Sequence, residues 1–366
     1  MKTIGVGIIG YEVGRSWAAV AHVPALRALP DYEVVAVATT RRETAEAAAR
    51  DIGLSMDAAF DDAVALTRDP RVDVVAVTVK VPHHRVLVSA ALAAGKHVYC
   101  EWPLGNGLTE AEAMAAEAAA AGVHAAIGLQ ARLAPPVRQA KALIADGYVG
   151  EVLSTTLIGS GMQWGDTIDR PNAYIIDASH GATMLAIPFG HTIDALRHVL
   201  GDFASLSATM AIRQPEVTRV ETGETLVKTA DDQIAVSGVL QRGAIAAIHY
   251  RGGMPRGTGL LWEIQGTKGD LRLTAAGGHA QILDLTLTGA RGGDRDLKPI
   301  AIDAASRWVP ADLAGPAVNV AQVYARLARD IRDGTHETPG FAEAVETHRL
   351  LDAIERAART GARIAA

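Results

Sequence analysis

Four side chains in one part of this sequence carry groups that can move a proton. The run AYIIDASHG, Ala173 to Gly181, contains Tyr174, Asp177 and His180, and His191 follows it. A neutral imidazole titrates near working pH, so His191 could act as an acid or a base without a large pKa shift. The three-residue spacing of Asp177 and His180 could place both on one face of a helical turn.

Structural roles could also explain residues of this set. His191 could be a helix histidine that is hydrogen-bonded inside the protein. Asp177 could cap or order its own loop, because Asp side chains commonly accept hydrogen bonds from nearby backbone amides. Tyr174 could be an amphipathic residue at a substrate or subunit surface. The sequence leaves both interpretations open, and it predicts His191, His180, Asp177 and Tyr174 as the catalytic candidates.

A glycine turn follows the first apolar run. The run Ile4 to Ile9 leads into Gly10 and Gly14, and a helical stretch begins at Ser16. Such a turn can present helix N-terminal amides to a pyrophosphate. Counted from Gly10, a G-x-G-x-x-G motif would need glycines where Glu12 and Arg15 stand. The motif therefore predicts dinucleotide binding only together with the alternating strands and helices that follow it. The alternative is a strand-to-helix turn that binds no ligand.

The end of the second predicted strand indicates which dinucleotide would bind. It reads Ala38, Thr39, Thr40, Arg41 and Arg42, without an acidic residue for a ribose 2'-hydroxyl. The two guanidinium groups could pair with a 2'-phosphate. NADP(H) is therefore favoured and NAD(H) is possible. Alternatively, both arginines are solvated residues of the following helix.

Composition narrows the class of protein. A chain of 366 residues suggests about two domains. The net charge of -6 is dispersed, which argues against a nucleic-acid partner. One cysteine, Cys100, excludes an intrachain disulfide and makes the cytoplasm the expected location. The first apolar run is too short for a signal-peptide core or a membrane span, so no membrane association is expected.

The chain has two parts with different hydrophobic patterns. Up to Gly128, apolar runs alternate with Ala-rich helical patterns, as in βαβ units around a parallel sheet. Predicted strands there are Ile4 to Ile9, Glu33 to Thr39, Val72 to Val79, Lys96 to Cys100 and His124 to Leu129, with helices at Arg41 to Ile52, Val86 to Ala94 and Thr109 to Ala121. The predicted fold begins with an α/β, doubly wound Rossmann domain in residues 1–130.

From Glu151 onward, β-branched and polar residues alternate between Gly-rich turns, which indicates antiparallel strands. The strand candidates are Leu153 to Ile158, Leu206 to Ile212, Gln233 to Leu240, Ala244 to Tyr250, Leu260 to Gln265 and Gln281 to Leu287. Helices are predicted at Val137 to Asp146, His180 to Leu200, Val318 to Asp333 and Ala342 to Ala358. Residues 131–366 are therefore predicted as an α+β domain with an open, largely antiparallel sheet.

Longer strings resemble a known family. They are GKHVYCEWPLG at Gly95 to Gly105, VDVVAVTV at Val72 to Val79, AKALIADGYVGEV at Ala140 to Val152, FGHTID at Phe189 to Asp194 and GTKGDL at Gly266 to Leu271. Together they resemble the Gfo/Idh/MocA (glucose-fructose oxidoreductase/inositol dehydrogenase) family over essentially the whole length. The resemblance implies nicotinamide between the two domains, a sugar or polyol substrate, and a homodimer or homotetramer formed through the open sheet.

This chain departs from the family pattern at two catalytic positions. Trp102 stands where the family's E-K-P motif has a lysine that polarises the reacting oxygen, and Ile187 stands at the aspartate of D-x-G-x-H. Only His191 of that set remains. The strings SWAAVAHVPALR and GLQARLAP resemble the branch that contains the fungal galactose-regulon repressor. The resemblance thus predicts an NAD(P)-dependent oxidoreductase, with a catalytically silent dinucleotide-binding regulator as the alternative, or a dehydrogenase for an apolar carbonyl compound.

The predicted cofactor contacts are Gly10, Tyr11, Val13, Gly14, Thr39, Thr40, Arg41, Arg42, Val79, Lys80, His84, Glu101 and Trp102. The predicted contacts of a sugar-like substrate are Trp102, Arg132, Tyr174, His180 and His191. Lys80 could instead be a solvated loop residue, and Arg132 could anchor its loop through a salt bridge. Glu101 could shape its turn. No metal site is expected, because the adjacent His83 and His84 would diverge on any regular element.

Overall fold

The computed structural model describes residues 2–365, and their contacts divide the chain into two compact units. The first unit comprises residues 2–130 and Trp308–Glu346, and the second comprises Ala131–Arg307 and residues 347–365. The first change of unit lies where the sequence predicts a boundary. The sequence predicts residues 131–366 as one domain, whereas residues 308–346 belong to the first unit.

Six parallel strands form the sheet of the first unit, in the order β3-β2-β1-β4-β5-β6. They are β1 (Ile4–Ile9), β2 (Tyr32–Ala38), β3 (Ala59–Phe60), β4 (Val74–Val77), β5 (His97–Glu101) and β6 (Ala125–Gly128). β1 and β4 are buried along their whole length, so their sequences are apolar without alternation. The strand order reverses between them, where doubly wound sheets bind ligands. The predicted Rossmann sheet is confirmed.

Helices connect these strands. They are α1 (Val23–Arg27), α2 (Arg42–Ile52), α3 (Ala63–Thr67), α4 (His84–Ala93) and α5 (Leu108–Ala121). A π-helical turn, Ala18–His22, precedes α1 directly and follows the glycine loop. The helices predicted at residues 41–52, 86–94 and 109–121 are confirmed, with ends displaced by at most two residues.

The second unit contains a nine-stranded sheet in the order β17-β16-β15-β14-β7-β13-β12-β9-β18 and a three-stranded sheet in the order β11-β10-β8. The strands are β7 (Val152–Ser160), β8 (Thr167–Ile168), β9 (Phe203–Ala211), β10 (Glu216–Arg219), β11 (Thr225–Val227), β12 (Gln233–Leu240), β13 (Ile245–Arg251), β14 (Leu260–Gly266), β15 (Gly269–Ala275), β16 (Thr286–Arg291), β17 (Lys298–Pro299) and β18 (Ile364–Ala365). Within the large sheet only β7 and β13 pair in parallel. The predicted, largely antiparallel sheet is confirmed.

Two predicted elements of this unit are wrong in extent. A strand from Gln281 is not formed, because the carbonyl of His279 accepts the amides of Ile282 and Leu283 and closes a turn before β16. The long helix predicted from His180 is divided. Gly181, with φ 69°, ends a 3₁₀ turn at His180, and regular α-helix begins only at Gly190.

The remaining helices are α6 (Pro135–Ala145), α7 (Gly190–Leu200), α8 (Ala317–Asp333) and α9 (Phe341–Thr360). α6 packs against α7 within the second unit, whereas α8 packs against α1 and β6. That packing places the segment around α8 in the first unit. Over the part of the chain that the structure describes, every helix is too short or too polar to cross a membrane.

Candidate functional site

The glycine loop begins where β1 ends, at a position that only glycine can occupy. Gly10 has φ 106°, and a Cβ atom there would lie 2.7 Å from Cγ1 of Val79. Gly14 also has a positive φ, 74°, but a Cβ atom there would meet no atom within 4 Å. Glu12 and Arg15, which replace the motif's other glycines, pair with each other on the surface. The loop therefore keeps its first tight turn and carries an ion pair beyond it.

A cavity of about 960 Å³ opens beside this loop, at the carboxyl ends of β1 and β2. Of the predicted cofactor contacts, its lining contains Gly10, Tyr11, Val13, Thr39, Thr40, Arg41 and Val79. Asp61, Asp62 and His83 also line it and were not predicted. The cavity lies at the switch point of the sheet and is at the upper end of the size range of small-molecule sites. It is the candidate dinucleotide site.

Tyr11 joins the loop to the end of α2. Its hydroxyl donates to a carboxylate oxygen of Asp51, while its ring is almost fully buried. Burial and this hydrogen bond raise the pKa of Tyr11 to about 12, so the phenol stays protonated in the physiological range. Asp51 was not predicted as a site residue, because it belongs to no sequence motif. Tyr11 thus forms a fixed wall of the cavity.

The two adjacent arginines have different environments. Nη1 and Nη2 of Arg42 donate to the carbonyls of Ala59 (2.7 Å) and Met56 (3.1 Å), and Nε donates to Glu46 (2.8 Å). Arg42, which was predicted to pair with a 2'-phosphate, thus donates to groups of the protein and does not line the cavity. Arg41 is exposed and lines the cavity. Of the two arginines, Arg41 is the one in the cavity lining.

Five other predicted cofactor residues lie outside the cavity lining, beginning with Lys80, His84 and Gly14. Lys80 is exposed and precedes a 3₁₀ turn. His84 is fully buried, with ring nitrogens 2.9 Å from the carbonyl oxygens of Val79 and Pro103. Burial lowers the pKa of His84 and favours its neutral form. His84 therefore bridges the end of β4 to the turn after β5 instead of facing the cavity. Gly14 is part of the glycine loop but does not line the cavity.

Glu101, the last residue of β5, points into the protein. One carboxylate oxygen lies 2.8 Å from Nε2 of His22, and Nε2 of Gln130 lies 2.9 and 2.8 Å from the two oxygens. The next residue, Trp102, is only 5% exposed. Neither side chain lines the cavity. The carboxylate of Glu101, a predicted cofactor contact, is therefore held by His22 and Gln130 at the end of β5.

In the second unit, three of the four catalytic candidates come together in consecutive 3₁₀ turns. Nδ1 of His180 lies 2.9 Å from the carbonyl oxygen of Tyr174, and the two ring centroids are 6.3 Å apart. Asp177 accepts a hydrogen bond from the amide of Ser179. The hydroxyl of Ser179 and, to a smaller extent, that amide lower the pKa of the Asp177 carboxyl group. Burial raises the pKa of Tyr174. Asp177 therefore caps the turn that presents His180.

His191 and Arg132 are held in buried surroundings of the same unit. His191 lies in the first turn of α7 and is 3% exposed. Arg132 binds the buried carboxylate of Asp194 through two nitrogens, with Nε 2.7 Å from Oδ2. Burial raises the pKa of Asp194, but Arg132 outweighs it and the net pKa is lowered. Arg132, a predicted substrate contact, thus forms a salt bridge to α7.

The described residues contain no group of three or more His, Cys, Asp or Glu side chains arranged to hold a metal ion. Cys100 is fully buried, and burial raises the pKa of its thiol well above the ordinary value. A thiol in this state is not a nucleophile.

Comparison with known proteins gives a consistent assignment. The model of an oxidoreductase family with an NAD-binding Rossmann fold, GFO_IDH_MocA, matches residues 4–129. The model of the C-terminal domain of Gal80p matches residues 135–275. The two matches meet where the chain passes from the first unit to the second.

Three relatives illustrate the range of activities among similar proteins. The galactose/lactose metabolism regulatory protein GAL80 of Saccharomyces cerevisiae is 30% identical over 313 residues, 80% of this chain and 72% of that protein. The crystal structure of a super-repressor mutant of it has a TM-score of 0.89 at 25% identity, covering 100% of this chain and 98% of that chain. Dehydrogenase aclE of Aspergillus oryzae is 30% identical over 371 residues, 98% and 97% of the two chains.

The third relative is levoglucosan dehydrogenase of Pseudarthrobacter phenanthrenivorans, which is 27% identical over 292 residues, 74% of this chain and 73% of that protein. Enzymes and a regulator are thus both similar to this chain along most of its length. The chain belongs to the Gfo/Idh/MocA oxidoreductase family, with an NAD-binding Rossmann fold, and within it resembles Gal80.

Proposed function

We propose that this chain is an NAD(P)-dependent oxidoreductase that transfers a hydride between a nicotinamide and a sugar, a sugar derivative or a polyol. The observation that carries the proposal is the cavity of about 960 Å³ at the switch point, beside a turn that only Gly10 permits. The likeness to levoglucosan dehydrogenase supports a sugar-like substrate. Exposed Arg41 in the cavity lining supports NADP(H), with NAD(H) as the other possibility.

A bound nicotinamide supplies or accepts the hydride, so the chain itself must move one proton and stabilise the substrate oxygen. We assign the proton to His191, which occupies the histidine position of the family's D-x-G-x-H string. Tyr174, His180 and Asp177 are assigned an assisting role, supported by their placement in neighbouring turns. The indole of Trp102 has no cationic group, so it would contact the C–H face of a sugar instead of polarising its oxygen.

The proposal includes a homodimer or homotetramer in the cytoplasm. The support for the assembly is a broad face of the large sheet with small residues, including Ser207, Ala235 and Ala247, which line a shallow depression. The support for the compartment is the single, buried Cys100, which cannot form an intrachain disulfide.

The test is nicotinamide absorbance at stoichiometric protein, with NADP(H) and NAD(H) each combined with a panel of sugars, polyols and simple carbonyl compounds. A single slow turnover registers under these conditions. His191→Ala should lower turnover by about a hundredfold or more if the imidazole carries the proton. Unchanged turnover in this variant would remove His191 from that role.

A second function is favoured by one specific observation. The chain is similar to the regulator GAL80 over 80% of its length. The resemblance also predicts a lysine where Trp102 stands. A catalytically silent regulator would bind the dinucleotide tightly without changing its oxidation state. Tight cofactor binding together with silence across the whole panel, in the same samples, would favour the regulator over the enzyme.

A further inference from the structure

A connected set of buried polar groups lies beneath the turn that carries Trp102. The carboxylate of Glu101 accepts hydrogen bonds from His22 and Gln130, and both of these side chains are fully buried. Because a carboxylate only accepts, Nε2 of His22 must carry the hydrogen in this contact. The carboxylate is thus bonded on both oxygens to groups inside the protein.

The other nitrogen of His22 continues the set. Nδ1 of His22 lies 2.8 Å from the hydroxyl of Tyr324, which donates to it when Nε2 carries the imidazole hydrogen. The ring of Tyr324 stacks on Tyr99 at 4.7 Å, and the hydroxyl of Tyr32 donates to the Tyr324 carbonyl. Every one of these tyrosines is buried. The surroundings therefore fix both the position and the tautomer of His22.

The elements joined by this set are those on which dinucleotide binding would act. His22 is the last residue of the π-helical turn that follows the glycine loop, and Glu101 is the last residue of β5. Neither residue lines the cavity. A hydrogen bond of 2.8 Å between them joins the helix behind the glycine loop to the residue before Trp102. Movement of one element must therefore strain the contact with the other.

We propose that His22 and Glu101 are positioning residues that couple the glycine loop to Trp102. Their hydrogen bond holds the Trp102 turn in place. Through this hydrogen bond, dinucleotide binding at the glycine loop changes the environment of the indole. The ligand-dependent part of this inference rests on the proposed cofactor site. The coupling between His22, Glu101 and Trp102 in the ligand-free protein does not depend on that site.

The experiment uses Trp102 as its own reporter. The variants are Glu101→Gln, Glu101→Ala, His22→Phe and the Glu101→Ala/His22→Phe double variant. Each is made with and without Trp102→Phe, so that the difference between the two spectra isolates the emission of Trp102 among the five tryptophans. The emission spectrum is recorded without ligand, and the dissociation constant of NADPH is then measured in the same samples. Thermal unfolding checks that each variant is folded.

Glu101→Gln is the conservative control. Oε1 of Gln130 has no hydrogen-bond partner among the described residues, so the amide of Gln130 can turn over and accept from the new amide group. This variant should keep the emission of Trp102 and the NADPH affinity. Glu101→Ala and His22→Phe should each move that emission to longer wavelength and weaken NADPH binding by a similar factor of about ten. The double variant should weaken NADPH binding by less than the product of the two single effects, because both changes remove the contact between His22 and Glu101.

The opposite pattern would overturn the proposal. If Glu101 binds the cofactor directly, substitution of Glu101 weakens NADPH binding and His22→Phe does not. An emission spectrum of Trp102 that is the same in all variants also overturns it. If Glu101→Ala does not fold, Glu101→Gln and His22→Phe still decide, because a direct contact predicts loss in the first and a positioning role predicts loss in the second. If NADPH binds to none of the proteins, the proposed function fails, and the ligand-free spectra still test the coupling.

Discussion

At the scale of single residues, neighbours in sequence have unrelated roles. Arg41 lies at the cavity, whereas the guanidinium of Arg42 is bound by the backbone of residues 56–59 and by Glu46. The side chains diverge because Arg41 has extended backbone angles, φ -144° and ψ 140°, and α2 begins at the next residue. The sequence shows only two adjacent arginines, so it does not indicate which of them lies at the cavity.

These two arginines give a matched pair of variants. Arg41→Ala should weaken NADPH binding about tenfold, or about 1.4 kcal/mol, while NADH binding stays the same, because only NADPH carries a 2'-phosphate. Arg42→Ala should leave both affinities unchanged and lower the unfolding midpoint, since three hydrogen bonds are lost. Fluorescence titration and thermal unfolding measure the two effects. An equal loss of NADPH and NADH in Arg41→Ala would place Arg41 against a part that both dinucleotides share.

At the scale of elements, the cavity depends on how closely the glycine loop approaches the end of β4. The loop retains one of the three glycines of the dinucleotide motif, and that one lies against Val79. At the other two positions, Glu12 and Arg15 face outward and pair on the surface. A degraded motif can therefore preserve the turn, because only the first position is sterically enclosed.

Gly10→Ala and Gly14→Ala separate crowding from backbone strain. Both positions have positive φ, so both alanines carry strain of the order of 1 kcal/mol or more. Only the alanine at Gly10 adds a contact of 2.7 Å with Val79. We expect Gly10→Ala to weaken dinucleotide binding at least tenfold and to lower the unfolding midpoint further than Gly14→Ala does. Equal effects in titration and thermal unfolding would mean that Val79 does not constrain the loop.

At the scale of the whole molecule, the partly buried His198 and the buried His348 make stability depend on pH. Burial, together with Arg132 and Lys141, lowers the pKa of His198 to about 3, and burial lowers that of His348 to about 4. In the unfolded chain the pKa of each of these histidines is about 6.5. Below that pH the unfolded state binds more protons than the folded state, so folding is favoured less as pH falls.

The free energy of unfolding should therefore be constant near pH 7.5 and fall from about pH 6.5 toward pH 4.5. Each such histidine contributes up to about 1.4 kcal/mol per pH unit in that window. Urea unfolding at several pH values measures the slope, and His198→Gln should reduce it. A free energy of unfolding that does not change between pH 7.5 and 5 would contradict this prediction.

The sequence by itself determined the architecture, because apolar runs and their spacing reflect local patterning. The unbroken run of β1, the alternation of β12 and the turn at Gly10 are each readable within a few residues. It also determined the family, since the matching strings extend along the chain. The ends of α7 and β16 were misplaced, because turns at Gly181 and His279 compete with the periodic pattern.

Only the tertiary structure decided how the candidate site is held. Glu101 meets His22 across 79 residues, His22 meets Tyr324 across 302, and Arg132 meets Asp194 across 62. No local pattern specifies such partners, because a buried polar group is satisfied by whichever chain segment the fold brings beside it. The residue types could be read from the sequence, whereas their hydrogen-bond partners, and hence their roles, required the folded chain.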